Sequence, residues 1–163
     1  MAIKDAFIAE IEQESKSAKA MLERIPAETF DWKPHEKSMP MGELAGIVAS
    51  MFGWFEVMID EDELDFATGS PNPRPQTTDE LVKLFDDSYA AGMKSLKNAS
   101  DDVFSETWIL RNGETILQES TKLFVVRQTI NHMSHHRGQL SVYLRLKDIP
   151  VPPIYGPSAD EGW

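Results

Sequence analysis

Residues 121–147, TKLFVVRQTINHMSHHRGQLSVYLRLK, decide the fold. The stretch has no proline, a single glycine at Gly138 and three of the chain's four histidines, so it is predicted to form one long helix. At 3.6 residues per turn, His132 and His136 stand one turn apart and point the same way, which is a metal-ligand spacing. A helical wheel puts Val125, Val126, Thr129, Met133, His136, Leu140, Tyr143 and Leu144 on one arc, with His132 at its edge. Arg127, Ser134, Ser141 and Arg145 gather on the opposite side. His135 points elsewhere, toward Phe124, Val142 and Leu146, and is a poor partner for the other two.

Working outward toward the N-terminus, three more helices follow from the same periodicity. Ile3, Phe7, Ile11, Ala18, Leu22 and Ile25 recur at helical spacing until Pro26 interrupts them. The segment 27–39, AETFDWKPHEKSM, reads as a loop whose Phe30 and Trp32 fold back on the core, and His35 within it as a solvated loop histidine. Pro40 suits a first helical turn, and Leu44, Ile47, Val48, Met51, Phe52, Phe55 and Met58 then give a largely buried second helix. The acidic cluster from Asp60 to Asp65 reads as a solvated helix end. The proline-rich run 67–77 is a long loop, compatible with a crossover. Thr77 and Glu80 form a capping box ahead of a third helix carrying Leu81, Leu84, Phe85, Ser88, Gly92 and Leu96 and ending near Asn98. Asn112-Gly113, between two runs of mixed character, signals a tight β-hairpin that must lie on the helices. After Asp148 the tail PVPPIYGPSADEGW holds four prolines and is expected to run extended, pinned by Ile154, Tyr155 and Trp163.

These elements predict one domain over residues 1–163: an all-α four-helix bundle with a short β-hairpin connector between helices three and four. A length of 163 residues and 41% hydrophobic content suffice for one core. The formal charge of −11 argues against nucleic-acid binding, since an acidic field repels phosphate and no basic stripe relieves it. No run was expected to span a membrane, and residues 1–11 are amphipathic rather than signal-like, so a cytoplasmic protein is expected. The absence of cysteine leaves only nitrogen and oxygen ligands for a metal.

The histidine pair allows two readings: ligands of a metal, or partly buried rings that hydrogen-bond a neighbour. Met133 stands where a His-Glu-x-x-His protease carries its general base, and Ser134 and Ser141 lack a nucleophile elbow. Neither hydrolase class is supported.

The segment NHMSHHRGQLSVYLRLKDIPVPPIYGPSAD resembles the fourth helix and tail of the DinB/YfiT-like family of bacterial four-helix-bundle proteins. WKPHEKSMPMGELAGIVASMFGWF resembles that family's second-helix region, and TWILRNGETILQ its connector. The resemblance implies an up-down-down-up bundle, a homodimer, and one divalent metal such as nickel or zinc on three histidines. Two of these map onto His132 and His136. The third belongs in a Gly-Glu-Leu-Ala-x-His pattern that here reads Gly42-Glu43-Leu44-Ala45-Gly46-Ile47, so Ile47 replaces a ligand and a two-histidine site is the weaker binder. Glu43, one turn earlier, is the candidate substitute ligand, at the cost of reaching about 6 Å along the axis. Ile47, Trp54 and Tyr143 are the candidate pocket residues. Arg137 is expected to pair with a carboxylate on the next helix, and Gln139 to hold a histidine ring. The resemblance implies divalent-metal-dependent transfer involving a low-molecular-weight thiol such as mycothiol or bacillithiol, or hydrolysis, acting on a small molecule. The alternative is a non-catalytic, stress-associated binding bundle whose metal site Ile47 has impaired.

Overall fold

The computed structural model describes residues 2–69 and 73–162. Helix α1 spans Ile3–Leu22, and Asp101, far along the chain, caps it by accepting from the N–H groups of Ile3 (2.8 Å) and Lys4 (3.2 Å). The second rod is interrupted: α2 covers Met41–Ser50, a 3-10 turn covers Met51–Gly53, and α3 covers Trp54–Asp60. By length and composition Met41–Asp60 is apolar enough to cross a membrane, contrary to the sequence expectation. Most of it is buried, as the core rod of a bundle must be. Helix α4 is Thr78–Asn98 and α5 is Lys122–Leu146. Thr77 caps α4 through the Glu80 N–H, whereas the Glu80 carboxylate reaches back to the Gln76 N–H (2.8 Å) rather than to Thr77, so only half of the expected box closes.

Helices α4 and α5 each pack on both α1 and the α2–α3 rod, which gives the expected four-helix bundle. Its core runs through Ile11, Met21, Leu44, Phe52, Phe55, Phe85, Met133 and Leu140. The close approach of α4 to the 3-10 turn depends on Gly92, where an added Cβ would lie 2.0 Å from the Phe52 carbonyl oxygen. Helix α5 stops in a Schellman arrangement. Asp148 turns left-handed (φ 56°), its N–H bonds the Arg145 carbonyl (3.2 Å), and the Ile149 N–H bonds the Leu144 carbonyl (3.0 Å).

The connector is larger than a hairpin. Strands β2 (Thr107–Asn112) and β3 (Thr115–Thr121) pair antiparallel, and β1 (Glu63–Asp65) adds a third, parallel strand to β2. Asn112 pairs with Thr115, so the turn is Gly113–Glu114, with glycine at positive φ (60°) in the first position, as a type II′ turn requires. The acidic cluster lies at the end of α3 with Asp60 to Glu63 exposed, as expected of a solvated helix end, and it is also tied into the sheet. Asp65 accepts from the N–H groups of Gly113 and Ala67 (both 2.9 Å), Asp60 accepts from Ser95 Oγ (2.7 Å), and Asp62 pairs with the buried Lys122 (3.0 Å). Lys122 also donates to the Ile59 carbonyl (3.1 Å) and pairs with Glu106 (3.2 Å). These carboxylates brace the sheet against α5, because a buried ammonium needs counter-charge and its remaining protons need acceptors. The tail docks through Val151, Tyr155 and Asp160. Trp163 lies outside the described residues, as do Ser70, Pro71 and Asn72 of the long loop.

Candidate functional site

The buried stripe of α5 runs through Lys122, Val126, Thr129, Met133, Arg137, Leu140 and Leu144, spaced three and four residues apart, with Val125 and Ile130 buried beside it. Arg137 lies in its middle, only 1% exposed. The two histidines are therefore carried on its flank. His136 is half-buried and His132 exposed, with the Trp54 indole edge-on to the His132 ring (centroids 6.0 Å).

The rings of His132 and His136 meet directly, Nε2 to Nε2 at 2.8 Å, and His136 Nδ1 lies 2.7 Å from Gln139 Oε1. A carbonyl-type oxygen only accepts, so His136 carries its proton on Nδ1, and its Nε2 accepts from His132 Nε2–H. Loss of hydration holds His132 below the ordinary histidine pKa, and the proximity of His136 and then His135 lowers it further, so the donor of this bond is a neutral ring. A metal held by both rings would replace this bond. Two nitrogens on one tetrahedral zinc, each at roughly 2.0–2.1 Å, stand about 3.3 Å apart. The observed separation is that of a hydrogen bond.

The helix-two position contributes no donor. Ile47 is 8% exposed within the core, and an alkyl chain has no electron pair to give. Glu43 is half-buried in the first turn of α2, and among the described residues no three His, Asp or Glu side chains gather into a group that could hold an ion. The residues present do not fit a three-histidine centre. His135 lies on the exposed side with its ring centroid 5.1 Å from that of His136, and His35, in its loop, accepts from the Lys37 N–H (3.1 Å).

A cavity of about 670 Å³ opens beside the pair, between α3, the sheet and the N-terminal half of α5. Trp54 and His132 line it. Ile47 and Tyr143 do not: Ile47 packs in the bundle core, while Tyr143 lies two turns beyond His136, donates to the Met39 carbonyl (3.2 Å) and packs edge-on against Trp32. The sequence reading missed Trp108, Leu64 and Gln118, which reach this cavity from the sheet, and Phe66, which reaches it from the 3-10 turn after β1. Trp108 and Gln118 carry only the hairpin as a local signal, and nothing local says which face of it meets α5.

Behind the pair, Arg137 joins α1 to the tail. Its guanidinium pairs with Glu14 (2.6 Å) and donates to Ser17 Oγ (2.7 Å), to the Glu14 carbonyl (3.2 Å) and to the Tyr155 hydroxyl (2.7 Å). The Tyr155 hydroxyl in turn donates to Glu14 (3.1 Å). Asp160 accepts two bonds from Arg145 (3.0 and 2.6 Å) and one from the Val151 N–H (2.9 Å), which lower its pKa to about 2.

A model of the DinB family matches residues 1–162. The uncharacterized protein YrdA of Bacillus subtilis is 23% identical over 158 residues, covering 96% of this chain and 90% of YrdA. A DinB-like protein from Bacillus cereus superimposes with a TM-score of 0.71 at 18% identity, over 93% of this chain and 97% of that one. A second, from Bacillus subtilis, gives 0.71 at 17% identity over 92% and 96%. The likeness to the solved structures extends to the fold alone, but the family match runs almost from end to end, and the chain belongs to the DinB family.

Proposed function

We propose that this chain is a small-molecule-binding bundle in which the three-histidine metal centre has been lost at the second helix. The observation that supports this reading is Ile47, buried where a ligand would stand, together with two histidines that satisfy each other by a hydrogen bond. A two-nitrogen donor set leaves a divalent ion short of the three protein ligands of an open catalytic site. A second reading keeps divalent-metal-dependent thiol transfer or hydrolysis at the same place. It is favoured by His132, which belongs both to the pair and to the cavity wall, so that a molecule seated there would lie against the imidazole. In that reading nickel or zinc would take His132, His136 and a further ligand such as Glu43.

Titration of chelator-stripped protein with nickel and with zinc separates the two. The binding-bundle reading expects weak uptake by the wild type and tight one-to-one uptake by Ile47→His. Tight uptake by the wild type, lost in His132→Ala, would overturn it and establish the second.

The same proposal includes a homodimer. Phe124, Val142 and Leu146 are 53%, 56% and 57% exposed and share the outer face of α5 with Gly138, whose missing side chain permits close approach. Sedimentation of Val142→Glu beside the wild type tests it, with a shift to monomer expected.

A further inference from the structure

The cavity beside the histidine pair has a volume within the roughly 300–1,000 Å³ typical of small-molecule pockets. Its walls are mostly apolar: Met58, Trp108 and Val125 are buried, and Trp54, Leu64 and Phe66 add hydrocarbon and aromatic surface. The Trp108 indole nitrogen is sealed inside the protein, so that ring offers the cavity surface and no donor. Among the described residues no Asp, Glu, Lys or Arg lines it, and a charged group carried inside would lose its hydration and meet no counter-charge.

Five further polar side chains reach the cavity: Ser50, Gln118, Gln128, Thr129 and His132. Ser50 Oγ donates to the Ile47 carbonyl (3.1 Å) and Thr129 Oγ1 to the Val125 carbonyl (3.0 Å), so both hydroxyl protons are used within their own helices. Gln118 Nε2 donates to Gln128 Oε1 (3.0 Å) and to Ser120 Oγ (3.4 Å), which leaves that amide only an acceptor. Gln128 spends its oxygen on this bond, and its Nε2–H groups have no partner among the described residues. His132 spends its Nε2–H on His136, and the lone pair of its Nδ1 is likewise without a partner among the described residues. Gln128 and His132 are both exposed and stand one turn apart on α5, so the cavity is rimmed by one free donor and one free acceptor on the same face of one helix.

That pairing selects the head of a ligand. A carboxylate only accepts, and would set its charge against the Nδ1 lone pair; an ammonium only donates, and would meet the Gln128 N–H. A hydroxyl does both through one atom. Four residues of helix set the two anchor points about 6 Å apart along the axis, a span that one oxygen bridges with two bonds of about 2.8 Å each. We propose that this cavity binds a neutral, largely apolar alcohol or phenol, whose hydroxyl donates to His132 Nδ1 and accepts from Gln128 Nε2–H while its hydrocarbon lies against the apolar walls. The assignment rests on the reading of the protein as a small-molecule binder and gives His132 a part that needs no metal.

The test uses three probes on one ring system: 2-naphthol, which both donates and accepts, 2-methoxynaphthalene, which only accepts, and 2-methylnaphthalene, which does neither. Calorimetry at neutral pH on chelator-stripped protein gives the affinities, and ¹⁵N spectra follow the His132 ring and the Gln128 side-chain amide. Each lost hydrogen bond is expected to weaken binding about fivefold. Only 2-naphthol should shift the His132 Nδ1 resonance upfield, toward that of a protonated nitrogen, while both oxygen-bearing probes should move the Gln128 N–H. His132→Leu should abolish the advantage of naphthol over its methyl ether, and Gln128→Leu that of the ether over the hydrocarbon; both side chains are exposed, so neither change strands a buried group. A naphthol advantage that survives His132→Leu would overturn the assignment of His132 as acceptor. Equal binding of the three probes with both resonances unmoved would overturn the choice of an alcohol and leave the binding reading intact. Failure of all three to bind would overturn the site and the binding reading together.

Discussion

Replacing Arg137 by methionine keeps most of the side-chain length and removes the charge from the centre of α5's buried stripe. Arg137 is 1% exposed and its partner Glu14 only 7%, so the variant strands a carboxylate in the interior. Breaking a buried pair in this way costs about 3–5 kcal/mol. Glu14 keeps one bond, from the Tyr155 hydroxyl at 3.1 Å, and Tyr155 is 68% exposed and can turn to water. The lower end, about 3 kcal/mol, is therefore expected, which for a chain of this length lowers Tm by about 6–12 °C. Urea unfolding followed by far-UV circular dichroism on the wild type, Arg137→Met, Glu14→Leu and the double variant gives the cycle. The double variant should be more stable than Arg137→Met, because no unpaired charge remains. A loss below about 1 kcal/mol in Arg137→Met, or a double variant as unstable as the sum of the singles, would refute the argument that a buried ion pair fixes this helix against α1.

Other outcomes follow from the same geometry. Its bonds with Arg145 and the Val151 N–H lower the Asp160 pKa from 3.8 to about 2, so the stability it lends to tail docking is complete above the unfolded value and is lost as pH falls through the folded one. Pepsin cleavage within residues 149–162 should accordingly rise as pH drops from 4 toward 2, and Asp160→Asn should show loosened docking at neutral pH; a flat cleavage profile would count against it. Gly92→Ala drives a methyl into the Phe52 carbonyl oxygen and should destabilise by at least the roughly 1–3 kcal/mol of ordinary overpacking, whereas Gly138→Ala, with open space around it, should stabilise a monomer by about 1 kcal/mol; thermal melts of the two should move in opposite directions. Asp148→Gly relieves a left-handed backbone at the end of α5 and should raise stability by roughly 1 kcal/mol in urea unfolding.

The four rods were legible because each carries an apolar stripe at helical spacing that a bundle must bury, and the stop signals Pro26 and Asp148-Ile149-Pro150 are local. What escaped is nonlocal. Strand β1 is three residues long, too short for alternation to register, and it exists only because β2, more than forty residues later, offers it a parallel edge. The carboxylates around it face solvent as read, Asp62 with 86% of its side chain exposed, but their partners escaped, since Lys122 and the Gly113 N–H arrive from elsewhere in the chain. The histidine spacing was legible, as was the Gln139 contact three residues on. The cavity was not. It is assembled from the α2–α3 rod, all three strands, the long loop and α5, and only Trp54 and His132 among the sequence candidates reach it.

Two independent features of α5 and its surroundings bear on the chemistry, and they point the same way. Helical phase sets Arg137 at the centre of the buried stripe, which turns His132 and His136 to its flank, while on α2 the core position is held by Ile47. A bundle that used these histidines as a catalytic centre would need a third donor arriving from α2, and this one brings an alkyl group to that helix position instead. Separately, among the described residues the cavity beside the pair presents hydrocarbon, aromatic rings, hydroxyls, amides and one imidazole but no Asp, Glu, Lys or Arg, where a thiol cofactor rich in hydroxyl and carboxyl groups would require buried donors and cations. Position 47 says nothing about the polarity of the cavity, and the cavity says nothing about the ligand count at the pair. On the proposed reading of the chain as a small-molecule binder, neither position 47 nor the cavity wall is required to carry a metal-binding or charged group.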